Sequence, residues 1–187
     1  MPISAVLFMD LQRDFLSGED GCMPVDELDA EAVLQAANEV LSKRVLAKAL
    51  PIFVLNQFPA TARIANFFRK GAAIAGSTGA ELDPRLESSD SAKVIVKARP
   101  SAFSNPELEQ YLRAHDVQEL YVLGVFAEGC VRSTVIEAVK LGYTVHVIEN
   151  AVATNAAWKK HFALWAMKRA GAIIVPNLLL ATKPSNP

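Results

Sequence analysis

The chain has 187 residues, 51% of them hydrophobic, and a net charge of −1. That length and apolar share suit a domain with a sizeable core and exclude a disordered chain, while the near-zero charge provides no basic field for nucleic acid. Two cysteines, Cys22 and Cys130, make no disulfide framework, and no apolar run approaches the roughly 18 residues needed to cross a bilayer. The opening Met1-Pro2-Ile3-Ser4 lacks the charged start of a secretory signal. A cytoplasmic protein with neither nucleic-acid nor membrane partners is the expectation.

In chain order, Ala5-Val6-Leu7-Phe8-Met9 is a continuous apolar run, suited to a strand buried on both faces. It ends at Asp10, followed by Leu11-Gln12-Arg13-Asp14-Phe15. An acid there sits where open α/β sheets hold their ligands, although a solvated acid opening a turn fits the same pattern. Cys22 falls in a Gly-rich loop and reads as a bystander. Residues 29–50 have helical spacing through Val33, Leu34, Ala37, Val40 and Leu41, with Asp29 as the expected cap. A strand is predicted over 51–55. The stretch from Pro59 to Pro84 is irregular. In it Arg63, Asn66 and Arg69 recur every third residue, as a solvated helix face or as a clamp for a substrate carboxylate. Phe67 and Phe68 suit a pocket lining or a subunit contact, and the glycines nearby form no phosphate-binding pattern.

Lys93-Val94-Ile95-Val96 predicts a further strand, ending at Lys97. On its own Lys97 reads as an exposed lysine. A helix over 106–115 and a strand over 120–125 follow. Next come helices over 130–141 and 155–170, stopped by Gly142 and Gly171, each followed by a strand, over 144–148 and 172–175. Trp158, Phe162 and Trp165 form a stripe on the last helix, read as core or dimer packing. The alternation of strand and helix indicates an α/β fold, a parallel sheet covered by helices on both faces. With no repeat or linker, residues 1–187 read as one domain, with 182–187 a loose tail.

Cys130 carries the most chemistry. It lies in Gly124-Val125-Phe126-Ala127-Glu128-Gly129-Cys130-Val131-Arg132-Ser133-Thr134, between a strand and a helix. At the start of a helix a thiol meets free backbone N–H groups and the positive end of the dipole, which favour thiolate. The same amides suit an oxyanion. A buried cysteine acting as a small hydrophobe is the bland alternative.

Together, the segments from Val6 to Phe15, from Lys97 to Phe103 and from Gly124 to Thr134 resemble the isochorismatase-like cysteine hydrolases, which include nicotinamidases and carbamoyl-amide hydrolases. Ala138 to Tyr143 and Ala151 to Thr154 extend the resemblance to most of the chain. It implies a three-layer α/β/α, Rossmann-like fold with a six-stranded, mainly parallel sheet in the order 3-2-1-4-5-6. It also implies a triad of Asp10, Lys97 and Cys130, an oxyanion hole built from the N–H groups of Phe126 and Cys130, and a cis peptide between Val125 and Phe126. Gln12, Phe15, Phe58 and Phe126 are the pocket candidates. Relatives are often dimers or tetramers, so a homo-oligomer is expected.

Two departures stand out. Phe126-Ala127-Glu128-Gly129 replaces the usual Ala-Thr-Asp-aromatic, which alters the pocket. Nicotinamidases bind a divalent metal through an Asp-x-His pair and a further His, and here Asn56 and Phe58 occupy the paired positions. The three histidines, His115, His146 and His161, have no useful ligand spacing. No metal and no cofactor are expected. The reading is a metal-independent hydrolase of a small amide or carbamoyl C–N bond. A vinyl-ether hydrolase of the isochorismate type and a silent ligand-binding protein are the alternatives.

Overall fold

The computed structural model describes residues 3–42, 45–87 and 91–181. The predicted tail 182–187 lies outside the described residues. Six strands form one sheet: β1 (Ile3–Met9), β2 (Leu50–Asn56), β3 (Lys93–Lys97), β4 (Val117–Val125), β5 (Thr144–Ala153) and β6 (Ile173–Val175). Their order is β3-β2-β1-β4-β5-β6, and every neighbouring pair is parallel. The expected fold and strand order are therefore observed. β1 lies centrally with its last five residues wholly buried, because both of its faces are covered.

Helices divide between the two faces. Val6 and Phe8 of β1 point into a core shared with Val33, Leu34 and Ala37 of α2 (Glu27–Leu41). Ala5, Leu7 and Met9 point into the opposite core. That core holds Leu108 and Leu112 of α4 (Pro106–Ala114), Val135 of α5 (Arg132–Lys140) and Met167 of α6 (Ala157–Arg169). The short α1 (Arg13–Leu16), α3 (Arg63–Phe68) and α7 (Leu178–Ala181) complete the set.

Three expectations are corrected. The helix predicted over 29–50 runs only from Glu27 to Leu41, and its cap is Asp26, whose carboxylate accepts from the amides of Leu28 and Asp29. The Ser42 hydroxyl then donates to the Asn38 carbonyl at 2.6 Å, and Leu46 turns the chain with a positive φ of 50°. The apolar residues after Leu41 thus belong to a turn leading into β2. Second, the helix predicted from residue 130 starts at Arg132; Ala127–Val131 form a wider turn, in which the Val131 amide reaches back to the Phe126 carbonyl at 3.2 Å. Third, of the two readings of the Trp158, Phe162 and Trp165 stripe, core or dimer packing, core falls, since these residues are 71%, 49% and 53% exposed. The buried face of α6 is built instead from Ala163, Leu164 and Met167.

Candidate active site

The carboxyl ends of β1, β2, β3 and β4 converge, and each delivers one polar side chain. Asp10 directly follows β1 with a φ of 55°, and its amide donates to the Val54 carbonyl at 2.8 Å. This left-handed residue turns the chain out of the sheet while the carboxylate stays fully buried. Across the β1–β4 pairing, Met9 is in register with Gly124. A Cβ on Gly124 would lie 2.1 Å from the Met9 carbonyl oxygen, and its φ is +122°. Only glycine permits this close approach, which brings the turn carrying Cys130 toward Asp10.

Lys97 is the last residue of β3, at the sheet edge, in register with Asn56 of β2. Strands stand roughly 4.8 Å apart, so its side chain must pass over Asn56 to reach the end of β1. It does so: Lys97 Nζ lies 3.1 Å from Asp10 Oδ2, 2.7 Å from Asn56 Oδ1 and 3.3 Å from Cys130 Sγ. The ion pair is almost wholly buried, with side-chain exposures of 0% and 1%. The second hydrogen-bonding group of Asn56, Nδ2, faces Cys130 Sγ at 3.5 Å. The structure thus brings together Asp10, Lys97 and Cys130, and adds Asn56. The sequence reading had given Asn56 only the place of a missing metal ligand.

The electrostatics differ from expectation. Burial pushes the Cys130 thiol up to about 12; the neighbouring Asp10 carboxylate pushes the same way, and Lys97 and the Asn56 hydrogen bond oppose it only in part. The resting sulfur is therefore a protonated thiol, where a lowered thiol pKa was expected. The expectation failed because Cys130 lies in the widened turn before α5, next to a buried anion. Asp10 is also held above the usual carboxylate range, first by burial, with Lys97 and the thiol pulling it down. Its Oδ1 is buried and has no partner at full hydrogen-bond geometry among the described residues.

Gln12, a pocket candidate, is fully committed to the fold. Its Nε2 donates to the carbonyls of Asn56 at 2.8 Å and Ala80 at 2.7 Å, and its Oε1 accepts from the Asn56 amide at 2.9 Å. No donor is left for a substrate. Asp14, also buried, accepts from the amides of Ala73 and Cys22, and Gly79 lies so close that a Cβ would sit 2.1 Å from its carboxylate. It ties the Cys22 and Ala73 segments to α1.

Phe15 and Phe126 meet edge to face at 5.4 Å between centroids. Phe58 is mostly buried, with the Arg69 guanidinium 3.8 Å above its ring. The Val125–Phe126 peptide bond is cis. No carbonyl among the described residues accepts from the Phe126 N–H. Of the Arg63, Asn66 and Arg69 row, Asn66 is buried with Nδ2 on the Pro59 carbonyl and Arg69 lies over Phe58; the separate pair Phe67 and Phe68 is about four-fifths exposed.

The donors present do not suit a divalent metal. Asn56 spends its oxygen on the Lys97 ammonium, and Phe58 offers a ring covered by the Arg69 guanidinium. Among the described residues no three His, Cys, Asp or Glu side chains are placed to hold one. His115 binds the Tyr111 carbonyl, His146 stacks on Tyr121, and His161 is exposed on α6.

A parallel sheet in this order, with an acid, a lysine and a cysteine meeting at its carboxyl edge, has the arrangement of an enzyme site on an α/β fold. The chain belongs to the isochorismatase family: the isochorismatase domain profile matches residues 4–177. It is 31% identical over 152 residues to the isochorismatase family protein YddQ of Bacillus subtilis, covering 81% of this chain and 78% of that one. Over 69 residues, 37% of this chain and 26% of the relative, it is 41% identical to an N-carbamoylsarcosine amidase of Arthrobacter. A pyrazinamidase of Pyrococcus horikoshii, solved in complex with zinc, superposes with a TM-score of 0.81 at 29% identity, over 93% of this chain and 99% of that one.

Proposed function

We propose that this isochorismatase-family hydrolase cleaves the C–N bond of a small amide or carbamoyl compound through a covalent Cys130 intermediate, without a metal. The observation that carries this reading is the Lys97 ammonium within hydrogen-bond reach of the Asp10 carboxylate and the Cys130 sulfur at once. A thiol with a pKa of about 12 needs a base beside it, and Asp10 is that base.

In the first half-reaction Cys130 Sγ attacks the substrate carbonyl carbon as its proton passes to the Asp10 carboxylate. The N–H groups of Phe126 and Cys130 receive the oxyanion. Asp10 returns the proton to the departing nitrogen, the C–N bond breaks, and a thioester remains. Water then attacks the thioester carbonyl, giving its proton to Asp10, and collapse of that intermediate restores the thiol. Lys97 holds the carboxylate and stabilises the negative charge that passes between oxygen and sulfur. Phe15, Phe58 and Phe126 shape the apolar wall of the pocket.

The N-carbamoylsarcosine amidase and pyrazinamidase relatives support a small amide or carbamoyl substrate. Metal independence is supported by Asn56 and Phe58. The test is a panel of small primary amides and N-carbamoyl compounds, assayed with chelator present, with intact-protein mass spectrometry of quenched turnover. Ammonia release and a substrate-sized adduct, both lost in Cys130→Ala, are expected. Turnover surviving in Cys130→Ala would overturn the covalent route.

One observation favours a second reading. Both the thiol and Asp10 are pushed toward their protonated forms, and a protonated Asp10 suits acid-assisted cleavage of a vinyl ether. That activity would persist after alkylation of Cys130, whereas amide hydrolysis would not. We further propose a cytoplasmic homo-oligomer. The exposed free thiol of Cys22 fits a reducing compartment, and the exposed Trp158, Trp165, Phe67 and Phe68 fit subunit contacts. Among the described residues no helix is long and apolar enough to span a membrane.

A further inference from the structure

From the geometry we infer that Asn56 is a working part of the site, in which its carboxamide orients Lys97 through Oδ1 and stabilises the Cys130 thiolate through Nδ2. The inference rests on the thiol chemistry proposed above and names a residue that chemistry did not use.

Four observations carry it. Asn56 is only 3% exposed, so its side chain competes with no solvent. Oδ1 accepts from Lys97 Nζ at 2.7 Å, shorter than the lysine's contact with Asp10 at 3.1 Å. Nδ2 reaches Cys130 Sγ at 3.5 Å, and an N–H aimed at sulfur favours the thiolate over the thiol. Finally, the Asn56 backbone is clamped on both sides by the single amide of Gln12, itself anchored on Ala80. A carboxamide presents an acceptor to the lysine and a donor to the sulfur from two separate atoms at once. An aspartate would keep the first contact and replace the second with a like charge. The position that the resemblance assigns to a metal ligand is thus committed to the nucleophile, with Gln12 as the positioning residue behind it.

The discriminating variants are Asn56→Asp, which retains size and the lysine contact, and Asn56→Ala, which removes both contacts. The readout is the iodoacetamide labelling rate of Cys130 across pH, beside kcat and KM on an amide that is turned over. Asn56→Asp should label about tenfold or more slowly at pH 8, with its profile displaced to higher pH, and should lose kcat with little change in KM. Folding is checked by circular dichroism, and Asn56→Asp keeps the test open should Asn56→Ala fail to fold. Labelling by Asn56→Asp within twofold of wild type at every pH overturns the inference. Running Asp10→Asn beside it separates the two readings. If Asp10→Asn alters labelling and Asn56→Asp does not, the Asp10–Cys130 coupling stands and the role of Asn56 falls. If only Asn56→Asp alters it, the role of Asn56 stands and the Asp10 coupling falls.

Discussion

Replacing Asp10 by asparagine should make Cys130 more reactive toward an alkylating agent while destroying turnover. Of the influences holding the thiol at about 12, burial is the largest, but the charge of Asp10 and its hydrogen bond come from the same carboxylate and both act upward. Removing that charge leaves Lys97 at 3.3 Å from Sγ with no competing anion. At pH 8 a thiol near 12 is about one part in ten thousand thiolate, and each unit of downward shift raises that fraction about tenfold. Loss of a full negative charge from a dry contact is worth at least about one unit. The labelling rate should then rise about tenfold or more, since at fixed geometry it follows the thiolate fraction. Lys97→Ala should do the opposite and slow labelling by a similar factor. Turnover should fall in both, in Asp10→Asn by about 10²–10⁴ for loss of the general base.

The assay is iodoacetamide labelling at pH 8 followed by peptide mass spectrometry, which separates Cys130 from the exposed Cys22. Each variant is compared with wild type for hydrolysis of one amide. A simple loss of folding cannot mimic the result, because unfolding would speed labelling in Lys97→Ala as well. Asp10→Asn labelling more slowly than wild type would refute the electrostatic account of the site.

Burial holds Asp10 above the usual carboxylate range. A carboxyl with a raised folded-state pKa favours the fold at acid pH, and that contribution is lost as pH rises through the raised value. Removing Lys97 raises Asp10 further. Lys97→Met should therefore cost about 3–5 kcal/mol at pH 8, for a buried carboxylate left alone, and less at pH 5, because lowering the pH favours the neutral acid that burial prefers. Urea unfolding at both pH values checks this; equal losses would count against it. Gly124→Ala should destabilise by about 2–4 kcal/mol, because the methyl meets the Met9 carbonyl and the backbone is left-handed; denaturant midpoints measure it. Chelator should leave hydrolysis unchanged and added zinc should not raise it, as an amide assay before and after dialysis against chelator would show.

The sheet was legible because strands buried on both faces must be continuously apolar, as β1 is, and the edge strands β3 and β6 still carry β-branched runs. What stayed hidden was set by partners distant in sequence. Nothing local says that Asp26 rather than Asp29 caps α2, since both are acids ahead of the same apolar face; the carboxylate that meets the amides of Leu28 and Asp29 decides it. The core alternative for the α6 stripe falls for a related reason. Trp158, Phe162 and Trp165 share a face, but the helix turns Ala163, Leu164 and Met167 inward, while Arg132 and Arg169 sit near the exposed Phe162 and Trp165 rings. Asp10, Lys97 and Cys130 were found together through family resemblance, whereas their electrostatics depend on burial that no single segment displays.

Gln12 and Asn56 show most clearly why a site of this kind is half visible. Each looks expendable alone, a polar residue just past an apolar strand. Parallel register places the ends of β1 and β2 side by side, and there the Gln12 amide satisfies both backbone groups of Asn56. That frees the Asn56 side chain from its own backbone and points it along the sheet edge toward Lys97 and Cys130. A lysine arriving from the edge strand needs such an intermediate station, because its target lies two strands away and any unpaired polar group on the route would be buried at a cost of about 1–3 kcal/mol. The position to which the resemblance gives a metal ligand thus presents its oxygen to a cation of the chain itself, the Lys97 ammonium.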